Sequence, residues 1–93
     1  MKDIFECHIT CNRADADAVK AVAEYVGWKF SQIDGDPVLG KEVFCYLTTH
    51  DNHFITMNER MEKAAACLQA VNVHVVRKKI ELIIYDTKRI EQV

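Results

Sequence analysis

The stretch that decides the fold is FECHITC, residues 5–11. Phe5, Cys7, Ile9 and Cys11 fall on one side of an extended chain, and Glu6, His8 and Thr10 on the other. A period of two is the pattern of a strand with one dry face and one wet face, so residues 3–11 are read as the first strand. Such a strand needs a cover for its apolar side. RADADAVKAVAEYVG (13–27) supplies one: Ala18, Val19, Val22, Ala23 and Val26 form a stripe at helical spacing. Asn12 and Asp15 are candidate caps, the early aspartates favour the positive end of the helix dipole, and Gly27 is a natural stop.

Alternation resumes in WKFSQI (28–33), with Trp28, Phe30 and Gln32 against Lys29, Ser31 and Ile33. DGDPVLG (34–40) is dense in turn formers. KEVFCYLTT (41–49) then sets Val43, Cys45 and Leu47 against Phe44, Tyr46 and Thr48, which completes a hairpin with a long tip. The strongest helical signal follows over residues 52–72, where Phe54, Met57, Met61, Ala64, Leu68 and Val71 step by three and four. Asp51 is the favoured cap, Thr56 with Glu59 is a second choice, and Asn72 ends the helix. In the last strand Val76, Ile80, Leu82 and Ile84 share the inner face, while Arg77, Lys79, Glu81, Ile83 and Tyr85 face outward. Lys78 interrupts the inner face, so a bulge or bend is expected near 77–79, or a strand that outruns the core. Residues 87–93 read as a polar tail.

The order strand, helix, strand, strand, helix, strand predicts an α+β ferredoxin-like βαββαβ domain, with two helices on one face of a four-stranded antiparallel sheet. Its 93 residues suit one domain, with 49% hydrophobic and 28% charged residues and three glycines. A net charge of −2 disfavours a protein that lives on phosphate contacts with nucleic acid. No apolar run approaches a membrane span and the N-terminus lacks a signal peptide's apolar block, so a cytoplasmic location is expected. Cys7, Cys11, Cys45 and Cys67 contain no CxxC and read as buried free thiols.

The same topology is expected to lay the first and third strands side by side and parallel. HITCNR (8–13) and TTHDNH (48–53) would then meet at one edge, and the start of the fourth strand would bring His74 and Arg77 to it. Helix N-termini, imidazoles, hydroxyls and a guanidinium together suit a phosphate or carboxylate. His8, Thr10, Tyr46, Thr48, His50 and Arg77 are therefore the candidate ligand-binding residues, with His8 and His50 the candidates for acid–base work. HDNH also spaces His50 and His53 around Asp51, with Cys11 expected nearby, but capping accounts for those residues; no metal and no cofactor is expected.

Two resemblances bear on activity. CHIT, with His8 and Thr10, resembles the histidine-x-threonine element of two-histidine phosphoesterases, which implies cleavage of a phosphoester. That family carries the element twice, and here it occurs once. KEVFCYLTT resembles the aromatic platform of an RNA-recognition motif, with Phe44 and Tyr46 as stacking residues, but the motif's glycines are missing. Phe44, Tyr46, Ile83 and Tyr85, framed by charges, also make the helix-free face a contact patch suited to homodimer formation. The expected function is a small homodimeric binding protein holding an anionic small molecule or a protein partner. The alternatives are a phosphoester hydrolase using His8 and Thr10, and a purely structural interaction module.

Overall fold

The computed structural model describes residues 3–32 and 44–84. The hairpin tip at 34–40, Ile33, Val43, Tyr85 and the 87–93 tail lie outside the described residues. The element order is β1 (Ile4–Asn12), a 3₁₀ turn (Arg13–Asp15), α1 (Ala16–Val26), β2 (Lys29–Ser31), β3 (Phe44–Asp51), α2 (Phe54–Ala70) and β4 (Val75–Ile83). The strands form one sheet in the order β2-β3-β1-β4, and every neighbouring pair is antiparallel. This is the ferredoxin-like arrangement.

The parallel pairing expected between the first and third strands is wrong. β1 and β3 run antiparallel, with Glu6 opposite His50, His8 opposite Thr48 and Thr10 opposite Tyr46. The reason lies in two reversals. The α1 crossover returns the chain so that β2 runs parallel to β1, and β3 then reverses against β2 and fills the gap between them. HITCNR and TTHDNH therefore leave the sheet at opposite ends.

The alternation of FECHITC does set the core. Cys7, Ile9, Cys11, Cys45 and Leu47 are fully buried with Val19 of α1 and Met57, Ala64 and Leu68 of α2. Trp28 closes the cluster after α1. Gly27 stops that helix with φ 79°, a left-handed conformation in which a side chain would be strained. Its N–H and that of Trp28 both donate to the Ala23 carbonyl at 2.9 Å. Neither Asn12 nor Asp15 makes a side-chain capping bond at the start of this segment.

α2 is shorter than the expected 52–72, because His53 occupies its cap position and Asp51, two residues before it, closes the turn that precedes the helix. The Asp51 carboxylate accepts the His53 N–H at 3.1 Å and pairs with Arg60 at 3.1 Å. At the other end Asn72 takes φ 62°, its N–H donates to the Gln69 carbonyl at 3.0 Å, and the Val73 N–H donates to Leu68 at 2.9 Å. That pair of bonds is a Schellman stop, which Asn can adopt because its short polar side chain tolerates the left-handed region.

β4 departs most from its sequence reading. The register slips between Thr10 and Cys11, whose partners are Arg77 and Val75, so the bulge lies at Val76 rather than at 77–79. Val75 takes the inner position assigned to Val76, which is 42% exposed. Lys78 stays in register opposite the buried Ile9 and reaches the Glu62 carboxylate of α2 at 2.9 Å. A long side chain at an edge can cover apolar surface with its stem while its ammonium leaves the core. Of the residues placed in the inner stripe, Ile84 is instead largely exposed, and Leu82, Phe54 and Val71 are about half exposed. Phe54 packs edge-to-face on Phe5, with ring centroids 5.8 Å apart.

Candidate functional site

Because β1 is central and both helices cover its other face, its wet residues meet those of β3 and β4 on the open face. Three rungs matter. Thr10 lies between Tyr46 and Arg77, His8 between Thr48 and Lys79, and Glu6 between His50 and Glu81. The six candidate ligand-binding residues are thus brought onto one face, as a strip along the sheet and not as a cluster at one end. His74 and Arg13 belong to the end where β1 finishes and His53 to the opposite end, so the expected gathering of all four histidines does not occur.

At the Arg77 end of the strip His8, Thr10, Tyr46, Arg77 and Lys79 line a hollow of about 160 Å³. Two cationic side chains, two hydroxyls and an imidazole surround it. Arg77 is exposed, and Lys79 leans along its own strand to Glu81 at 3.1 Å.

The other end of the strip is built around Glu6. One carboxylate oxygen lies 2.5 Å from His8 Nε2 and the other 2.6 Å from His50 Nε2. His8 Nδ1 bonds Thr48 Oγ1 at 3.1 Å, and its Nε2 is also 3.4 Å from Glu81. Partial burial raises the Glu6 pKa, yet the hydrogen bond from His50 and the charges of His8 and His50 outweigh it and hold the carboxyl below its ordinary value. The Asp51 carboxyl is also held down, chiefly by the His53 backbone N–H and then by Arg60. Both groups are depressed in the folded chain, so the stability they contribute is present above their unfolded values and is lost as pH falls through the folded ones. Thermal unfolding followed from pH 7 to pH 2 should show a falling midpoint below about pH 4, and less of a fall in Glu6→Gln. A midpoint independent of pH across that window would contradict the Glu6 geometry.

Sequence alone passes over Glu6, Lys79 and Glu81 as ligand-bearing residues, because charged side chains on a wet face read as solvation. The signal is there in part. Glu6 and His8 share a face at a spacing of two, as do Lys79 and Glu81. The rival grouping of His50, Asp51, His53 and Cys11 does not assemble: Cys11 is buried opposite Cys45, Asp51 holds Arg60, and His50 turns to Glu6. All four cysteines are free thiols.

No family model matches the chain, and no curated sequence matches it. Among solved structures, a protein of Chloroflexus aurantiacus J-10-fl provisionally named an antibiotic biosynthesis monooxygenase superposes with a TM-score of 0.56 at 7% identity, covering 89% of this chain and 95% of that one. A structure of CPII bound to ADP and bicarbonate, from Thiomonas intermedia K12, gives a TM-score of 0.49 at 8% identity, covering 87% and 88%. At such identity the likeness concerns the fold alone. No helix among the described residues is long and apolar enough to cross a membrane.

Proposed function

We propose that the protein binds a small anionic molecule, of the carboxylate or phosphate class, on the open face of its sheet. The observation that carries this reading is the hollow lined by His8, Thr10, Tyr46, Arg77 and Lys79. Arg77 supplies a planar fork of donors that matches either anion, and Lys79 adds a second positive charge. Thr10 and the imidazole of His8 offer hydrogen bonds from the central strand, whose position is held by the core beneath it. A second copy of the chain on the same face would cover a hollow that is otherwise open to solvent, and half-buried Phe44 and Ile83 supply apolar surface for it.

Binding is favoured over phosphoester hydrolysis by what lines the hollow. Acid–base cleavage needs two exchanging groups at the reacting bond. One histidine lines the hollow, and His50, on the next rung, is turned away from it onto Glu6.

The test is a thermal-shift and calorimetric panel of phosphates, nucleotides and small carboxylates on the parent and on Arg77→Ala. A ligand should raise the midpoint of the parent by mass action. Arg77→Ala should weaken that ligand by about 1.5–3 kcal/mol, the worth of a charged hydrogen bond, while changing stability by no more than about 0.5 kcal/mol. No shift with any member of the panel, or equal binding by the variant, would refute the assignment.

A further inference from the structure

The Glu6 end of the strip carries two carboxylates, Glu6 and Glu81, that anion binding does not use. We infer that Glu6, His8 and Glu81, with His50 beside them, form a binding site for a divalent transition-metal ion. Among the described residues these first three bring one ligand atom each within 4.8 Å of one another. The inference does not rest on the anion reading: the two share His8, but the carboxylate donors Glu6 and Glu81 lie outside the hollow and apart from Arg77.

Three observations point to a metal rather than to a wet surface. The first is spacing. Four donors at about 2.0–2.1 Å around zinc stand about 3.3 Å from one another. His8 Nε2 and Glu81 Oε1 are already 3.4 Å apart, and His8 Nε2 to Glu6 Oε1 at 2.5 Å opens to that spacing with a small rotation of the Glu6 carboxylate. His50 Nε2 lies against the second oxygen of Glu6 at 2.6 Å, beside the three donors, which leaves the fourth position of the ion to solvent.

The second observation is orientation. His8 Nδ1 is bonded to Thr48 Oγ1 at 3.1 Å, which aims Nε2 at the two carboxylates. A ligating histidine is held in this way, with its other ring nitrogen fixed by a neighbouring polar group that sets the ring plane. Thr48 projects from the strand next to β1 and is half-buried, so the ring is anchored to the rigid part of the sheet.

The third is charge. Glu6 and Glu81 are direct cross-strand partners on one face, an arrangement that destabilises a sheet unless positive charge answers them. His8 lies against both carboxylates, His50 against Glu6, and Lys79 reaches Glu81 Oε1 at 3.1 Å, so the place where positive charge is needed is the place where His8 Nε2 points. A divalent cation at His8 Nε2 would neutralise both carboxylates and return the Lys79 ammonium to the hollow, where its charge adds to that of Arg77.

The ion expected is one that accepts mixed imidazole and carboxylate donors in an open site, such as zinc, cobalt or manganese. Protein stripped with a chelator is dialysed against Zn²⁺ and, separately, Co²⁺, and bound metal is measured per chain. One equivalent should bind. His8→Ala and Glu81→Gln should each weaken it by about tenfold or more, and Arg77→Ala should leave it unchanged. Glu81→Gln keeps side-chain shape on the edge strand, and its thermal unfolding curve confirms that any loss is not a loss of fold. The cobalt form should show the visible bands of nitrogen and oxygen donors with no sulfur-to-metal charge-transfer band. Substoichiometric binding, equal affinity in both site variants, or a thiolate band that disappears in Cys67→Ser would overturn the inference. Loss of metal in Arg77→Ala would also overturn it, since metal and anion would then share one site. Failure of the anion panel with metal still bound would leave this site standing alone.

Discussion

Leu68→Ala should destabilise the protein by about 2–5 kcal/mol, the cost of truncating a fully buried leucine in a core that cannot collapse around the gap. Leu68 is completely buried and lies in one cluster with Ile9, Leu47, Met57 and Val73. It also sits at the point where α2 ends, since its carbonyl accepts the Val73 N–H that closes the helix at 2.9 Å. The substitution leaves that backbone bond in place, so the loss is one of packing and not of helix termination. Urea unfolding read by circular dichroism should show a lower midpoint with an unchanged slope. Gln69→Ala, at the exposed neighbouring position, should stay within about 0.5 kcal/mol of the parent. A parent-like midpoint for Leu68→Ala would mean that α2 presents another face to the sheet.

The second large effect is on thiol chemistry. Burial pushes the Cys7 thiol up to about 11 and the Cys11 thiol up to about 12, from an ordinary value of about 9. Cys45, beside Cys11, is raised as well, again by burial first and then by Asp15. Only the thiolate alkylates, so at pH 8 the reactive fraction falls by about 100-fold for Cys7 and about 1,000-fold for Cys11 relative to the unfolded chain. Neither side chain is exposed, so reagent must also wait for an opening of the fold. Mass spectrometry after a brief iodoacetamide pulse should find half-buried Cys67 labelled in the native protein and all four labelled in denaturant. The same shifts make a statement about alkali. In the folded chain these thiols keep their protons to higher pH, so above about pH 9 the unfolded state binds fewer protons and stability declines up to the folded values. Rapid native labelling of Cys7 or Cys11 would place them outside the core.

Both effects rest on parts of the chain whose burial is legible in the sequence itself. The alternation of Phe5, Cys7, Ile9 and Cys11 and the stripe of Met57, Met61, Ala64 and Leu68 are local patterns. A side chain's face on a strand or helix follows from the backbone's own period, which no distant residue alters. That is why core positions in the middle of each element are readable, and why the errors gather at element ends. Phe54 and Val71 continue the α2 stripe in sequence, yet one is the first residue of the helix and the other lies just past its last, and both are about half exposed.

The candidate site is legible in sequence as a list of residues and not as an arrangement. That His8 and Thr10 face away from the core follows from parity alone. That His8 meets Thr48, forty positions away, and that Glu6 stands between two histidines follow from the direction and register of β3. Strand direction depends on every reversal between two strands, and register depends on the core contacts of both. Counting one reversal too few gathers the histidines at an end they do not share. Lys78 teaches the same point from the other face: its partner, Glu62, lies on a helix packed against the sheet, so the cause of its tolerance is tertiary. By itself, then, the sequence determined the elements, their order and the dry face of each, because those depend on neighbours along the chain. The tertiary structure alone decided which wet residues stand opposite one another, because pairing across strands is set by the packing of the whole sheet.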